Sequence, residues 1–256
     1  MLNLVPRLIS LNFSDGNLSG SLSGSVLIFD VSGFASMAET LSRQGNIGAE
    51  TLSNTLNSIY TRGILSMIRG SGGFVSGFSG DSFAVILPGT TINKAEAFGK
   101  ELLNRLTLAS TSSSAGIVFK AGGSDGTIDW GIIGRERKGW FFSGDAFRRA
   151  YQALEKPEQG GLAICRRRTP EREVLTVERM GGRAPDRILE TSFFSEKLLN
   201  SEPYGEFRRV FPVFLTPAGV ENDDQELIRS LTPEVIKSSA ETGGFFNGVH
   251  YDSSGF

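Results

Sequence analysis

The chain has 256 residues, 39% of them hydrophobic and 21% charged, with 26 lysines and arginines against 28 acids. That composition supports a buried core and excludes wholesale disorder, and a net charge of -2 lacks the basic excess of a dedicated nucleic-acid binder. One cysteine, Cys165, excludes an internal disulfide framework, and one histidine, His250, leaves too few N and S ligands for a zinc site. Met1–Ser10 hold no apolar block of signal-peptide length, and no stretch reaches the ~20 apolar residues of a membrane helix. The expectation is a cytoplasmic protein that takes neither membrane nor nucleic acid as a partner.

In chain order, residues 14–25 (SDGNLSGSLSGS) are Ser/Gly-rich and read as the end of a flexible lead-in over 1–23. Ser25–Asp30 is a continuous apolar run closed by an acid, which predicts a buried strand. Apolar positions at helical spacing over 35–69 predict two helices broken near Gly45-Asn46, the second stopped by Gly70–Gly73. Phe74–Phe78 and Ser82–Leu87 then predict a hairpin around Ser79-Gly80-Asp81. A helix over 91–109 follows, then strand-like pieces at 116–120, 127–133 and 140–142, a helix at about 145–155, and a strand at Leu162–Cys165. The expected fold class is α+β, a largely antiparallel sheet with helices on one face. Seven arginines against four acids over 166–187 predict a solvated edge, or a phosphate-binding or partner-docking patch.

An internal repeat organises the rest. Gly72–Ser82 aligns with Gly243–Ser253 at an offset of 171, with six of eleven positions identical and Asp81 over Asp252. Val26–Gly33 aligns with Pro212–Gly219 at an offset of 186. The expected organisation is a first domain at 24–187, a linker at 188–207, and the incomplete start of a second, related domain at 208–256.

Familiar catalytic signatures are mostly missing. Gly77-Phe-Ser-Gly-Asp81 lacks the last glycine of a nucleophile elbow, and no GxxxxGK[ST] loop is present. What remains is a carboxylate pair: Asp30 at the end of one strand and Asp81 at a glycine-rich turn. If that strand lies beside the hairpin, both converge, as a magnesium–phosphate site requires of hard oxygen ligands. Ser32, Gly33 and Phe34 could offer backbone N–H groups to phosphate at the start of a helix. Spacing alone leaves equally open that Asp30 caps the helix and Asp81 makes a turn.

Phe29-Asp-Val-Ser-Gly-Phe34, followed by Gly72-Gly-Phe-Val-Ser-Gly-Phe-Ser-Gly-Asp81, resembles the paired metal-site motifs of class III adenylate/guanylate cyclases. Trp130–Gly134 and Trp140–Ala146 are similar to later strands of the same catalytic domain, and the tandem arrangement most resembles the soluble, bicarbonate-responsive adenylyl cyclases and their bacterial relatives. The resemblance implies a ferredoxin-like cyclase fold and two domains paired head to tail with ATP (or GTP) between them. It implies two Mg2+ or Mn2+ ions held by Asp30, Asp81 and the Val31 backbone carbonyl. The partner half would come from a second cyclase domain in cis or in trans.

Departures from the family pattern limit what this chain supplies. The purine-reading lysine position falls on Gly77, and the asparagine and arginine positions fall on Arg148 and Gln152. In the second copy the first metal aspartate falls on Thr216 and the lysine on Gly248. The function expected is therefore the metal-binding half of an adenylate cyclase making cyclic AMP and pyrophosphate, with negligible activity alone. The alternative is a non-catalytic cyclase-homology module that binds nucleotide or regulates a neighbouring domain.

Overall fold

The computed structural model describes residues 5–59, 64, 66–79, 82–111, 117–157, 160–166, 191–194, 199–200, 213, 215, 224–242, 244, 246 and 248–251. Their elements are α1 (Arg7–Ser14), β1 (Ser19–Ser32), α2 (Phe34–Ser42), α3 (Gly45–Asn57), α4 (Ser66–Ser71), β2 (Phe74–Ser79), β3 (Ser82–Pro88), α5 (Ile92–Thr111), β4 (Val118–Ile133), β5 (Gly139–Ser143), α6 (Asp145–Leu154), β6 (Leu162–Cys165) and α7 (Gln225–Glu241). None of the described helices is long and apolar enough to cross a membrane.

The strands form one sheet in the order β2-β3-β1-β4-β5, antiparallel throughout, with β6 added parallel to β4. The first four strands with their intervening helices are a β-α-β-β-α-β unit, and the order β4-β1-β3-β2 makes it ferredoxin-like. The α+β class read from the sequence is thus the observed one. β1 is central and buried on both faces, which explains its unbroken apolar run. Val26 and Ile28 enter one core, while Leu27, Phe29 and Val31 enter the other.

Helices cover both faces, where the sequence reading placed them on one. Met37 of α2, Ile68 of α4 and Ala95, Leu102, Leu103 and Leu106 of α5 pack on the Leu27–Phe29–Val31 side, as the ferredoxin-like unit requires. On the opposite side α1 contributes Leu8 and Ile9, and α6 contributes Ala146, Phe147, Ala150 and Leu154. The lead-in expected over 1–23 is likewise corrected. Val5, Leu8 and Ile9 are core residues, and Ser19–Ser23 pair with Gly131–Thr127. The Ser/Gly content of that segment belongs to a strand whose first residues face solvent.

The pieces expected at 116–120 and 127–133 are one 16-residue strand, β4. Gly122 and Gly123 imitate a turn in the sequence, but Gly122 serves helix packing and a Cβ on Gly123 would crowd the Leu27 and Ile164 side chains. A Cβ on Gly122 would stand 2.3 Å from both the Ala150 carbonyl oxygen and the Leu154 nitrogen, so α6 lies directly on the strand backbone. The sheet also curls. β2 and β5 are opposite ends of the strand order, yet the Trp140 indole N–H donates to the Ser76 carbonyl at 3.0 Å, and the rings of Phe74 and Phe142 stand 5.7 Å apart.

Described residues C-terminal to β6 pack against this unit. Phe193 and Tyr251 are buried in the α6-side core, and Ile228 of α7 packs with Ile133 and Phe141. Among the described residues of 208–256, α7 is the one regular element, and Val213 and Leu215 are exposed.

Placing a side chain at Gly122 tests the close approach. Gly122→Val should destabilise the protein by about 3 kcal/mol, because both clashing atoms are backbone. Urea unfolding of the variant measures this, and a change below about 0.5 kcal/mol would mean that α6 can lift away without cost.

Candidate functional site

Asp30 lies two residues before Ser32, the last residue of β1, and its register partner on β4 is Lys120. The Lys120 ammonium stands 3.4 Å from the Asp30 carboxylate, and each side chain retains 28% exposure. The pair lies on the sheet face that α6 covers further along β4, since Gly122 two residues on meets the last turn of that helix. Lys120 is a residue that sequence reading missed. No local signal marks it, because its pairing depends on the β1–β4 register across ninety residues of chain.

Asp30 does not cap α2. The N-cap is Gly33, at φ 89°, a left-handed conformation that favours glycine, and among the described residues no side chain caps the first turn. No acid lies in that first turn either. Ser32 is exposed, Val31 is buried with its side chain in the α5-side core, and Phe34 packs against the same core. The result is an open helix N-terminus three residues beyond a half-exposed carboxylate. Such an end attracts anions through its unpaired N–H groups and the helix dipole.

The hairpin meets β1 at the same end of the sheet. Phe29 pairs with Phe83, their rings stacked at 4.9 Å, and the β2–β3 ladder closes at Ser79↔Ser82. One step past the Phe29–Phe83 stack, β1 reaches Asp30 and β3 reaches Ser82. Asp81 lies outside the described residues, as does Gly80. Among the described residues no three carboxylates, histidines or cysteines gather.

The positions where the sequence departs from the cyclase pattern are mostly in view. Gly77 is exposed with open space around it, and lies where β2 shifts register. On α6, Gln152 is exposed, and Arg148 is ion-paired to Asp145 at 2.6 Å and 37% exposed. Arg149 is 13% exposed, ion-paired to Asp145 at 3.0 Å, and donates to the Asp125 carbonyl. Its charge is committed to joining α6 to β4. Among the described residues, a Cβ on Gly248 would meet the His250 ring alone, at 4.0 Å, and Thr216 lies outside those residues. Of the arginine-rich segment, Arg166 is described, and it bonds Asn93 and Glu96 on α5. Lys100 and Arg166 together hold the Glu96 carboxyl below its ordinary pKa.

No protein-family model matches the chain, and no curated protein matches it. The solved structures it is similar to are nucleotide cyclase catalytic domains. The adenylyl cyclase CyaB from P. aeruginosa is 19% identical, covers 57% of this chain and 78% of its own, and has a TM-score of 0.48. The guanylyl cyclase Cya2 is 22% identical over 57% of this chain and 76% of its own, at 0.47. The guanylate cyclase domain of RhGC from Catenaria anguillulae, solved with GTP, is 18% identical over 57% and 79%, at 0.45. Likeness of that strength concerns chain path and assigns no residue a role. The fold class stands on the strand order itself.

The two arginines of α6 should separate in a stability measurement. Arg149→Met deprives a part-buried carbonyl of a charged donor and should cost about 2 kcal/mol, whereas half-exposed Arg148→Met should stay within about 1 kcal/mol. Urea unfolding of the pair checks this, and equal losses would contradict the structural role given to Arg149.

Proposed function

We propose that this chain is the metal-binding half of a class III-like nucleotide cyclase, converting ATP to cyclic AMP and pyrophosphate once a complete second cyclase domain is supplied. GTP is the other purine triphosphate the site could take, since Gly77 and Gly248 offer no side chain to read the base. The carrying observation is the register that brings Ser79 and Ser82, the described residues on either side of Gly80-Asp81 in the sequence, level with Asp30, one step past the Phe29–Phe83 stack. In this reading Asp30, Asp81 and the Val31 carbonyl hold magnesium or manganese, and the N–H groups of Ser32, Gly33 and Phe34 receive phosphate oxygens. The metal ions would supply charge neutralisation at the triphosphate and acidify the ribose 3′-hydroxyl. The 3′-oxygen, losing its proton, forms a bond to the α-phosphorus while the α–β bridging bond breaks and pyrophosphate leaves.

Lys120 has a part in the resting site. Its ammonium offsets the Asp30 charge when no cation is bound, so cation binding must displace it from the carboxylate. The donor set otherwise suits a hard divalent ion, with a carboxylate and a backbone carbonyl on a rigid strand. The proposed organisation follows the repeat, with α1 and all of β1 joined to the first copy: a cyclase-homology domain reaching 187, a connection at 188–207 and a second, related segment at 208–256. The non-catalytic reading is favoured by one observation, the commitment of Arg149 of α6 to Asp125 and Asp145, which leaves exposed Gln152 at the expected arginine position.

Binding and turnover separate these readings. At about a hundred times its Kd, MnATP should stabilise the folded state by ~2.7 kcal/mol and raise Tm by roughly 5 °C. Asp30→Ala and Asp81→Ala should each abolish that shift, and unchanged shifts in both would remove the metal-site assignment. Cyclic AMP formation by the chain alone should be negligible and should appear when a complete second cyclase domain is added in cis or trans. Robust manganese-dependent turnover by the isolated chain, lost in Asp81→Ala, would show that the other half of the site is already present. Binding with no turnover under either condition would establish the non-catalytic module.

A further inference from the structure

Asp30 and Lys120 are register partners on two interior strands of the sheet, and the pairs on either side of them, Phe29↔Ala121 and Val31↔Phe119, are made of buried residues. The backbone beneath the ion pair is therefore fixed, while both of its side chains stay partly in water. The contact itself is loose. Its N···O separation is 3.4 Å, against 2.6 Å for Arg148 on Asp145, and exceeds the roughly 2.7–2.9 Å of a charge-assisted hydrogen bond. Lysine carries its charge on a flexible stem, so the ammonium can leave Asp30 without movement of the strand.

The charges around the pair give that departure a direction. Among the described residues Lys120 is ion-paired to Asp30 alone, and Asp30 to Lys120 alone. The two arginines of α6, the helix over this face, are committed to Asp145. The first turn of α2, three residues along the chain from Asp30, holds no acid and no capping side chain. A bare dication at Asp30 would stand beside a displaced ammonium and the positive end of a helix dipole, with no described acid to take up either. A dication that arrives with a polyphosphate brings the missing anion, and the released ammonium then has a phosphate oxygen to pair with.

We propose that Lys120 determines which form of the cation this site accepts: paired with Asp30 it disfavours a bare divalent ion, and passed to a phosphate it favours the nucleoside-triphosphate complex of that ion. The exchange is one of ionic partners, and no covalent bond changes. Lys120 is thus a specificity-determining residue whose effect runs through a contact present in the resting structure. This inference rests on the reading of Asp30 as a metal ligand.

Calorimetric titration of the full chain with Mn2+ alone, and separately with preformed MnATP, tests the exchange. Lys120→Gln removes the charge. It should tighten binding of Mn2+ alone roughly five-fold and weaken binding of MnATP roughly three-fold, with the far-UV circular dichroism unchanged. Lys120→Met keeps the apolar stem and should give the same pair of shifts where glutamine disturbs folding, whereas Lys120→Arg keeps the charge and should retain the wild-type order of the two affinities. Affinities for both ligands equal to wild type in Lys120→Gln and Lys120→Met, with Mn2+ binding lost in Asp30→Ala, would overturn the role of Lys120 and leave the metal site standing. Equal tightening of both ligands would overturn it too, because no phosphate would then have replaced Asp30 as the partner. Mn2+ binding undiminished in Asp30→Ala would overturn the metal-site reading, and this inference with it.

Discussion

The structure depends on the bending of a five-strand path back on itself until its two ends touch. An open antiparallel sheet leaves two edges with unpaired backbone groups and one apolar face too wide for a single short helix. Here the edge strands β2 and β5 meet through Trp140 and Ser76 and through Phe74 and Phe142. The concave side then shrinks to a volume that α1, α6 and Phe193 can fill. One indole N–H thereby satisfies a carbonyl that the bulge would otherwise leave orphaned, at a point where burial makes an unpaired group costly.

That curl sets the terms for the two cores and for the end of the sheet where they stop. α6 can lie within the curve only because Gly122 admits its backbone against β4, and Arg149 then pins the helix to the Asp125 carbonyl. On the convex side α2, α4 and α5 close the ferredoxin-like unit. β1 runs between the two cores; on its α6-side face Asp30 is the first residue past Ile28 to reach water, while Val31 on the other face is still buried.

Much of this was legible in the residues. Apolar runs and glycine punctuation gave the strands and the hairpin, and the i, i+3, i+4 spacing gave α5 and α6, because those signals are local. The continuity of β4 was not legible, since Gly122-Gly123-Ser124-Asp125-Gly126 has the composition of a turn and only the packing of α6 explains it. α1 was missed for a related reason: an eight-residue helix with two buried residues, Leu8 and Ile9, carries too little periodicity to stand out. The Lys120–Asp30 pair and the Trp140–Ser76 contact are invisible in the sequence because they come from register and curl. That β1 lies beside the hairpin was legible only as one possibility, and the strand order shows it.

The Asp30–Lys120 pair is the electrostatic state from which any cation site here must start. Crystals grown with Mn2+ and a non-cyclisable ATP analogue would show directly where the cation goes, by its anomalous scattering. The result expected is a manganese peak within about 2.2 Å of a carboxylate oxygen of Asp30 and of Asp81, with the Lys120 ammonium withdrawn from Asp30. A bound nucleotide with Asp30 still paired to Lys120 and no manganese at either aspartate would contradict the metal-binding assignment on which the proposed function rests.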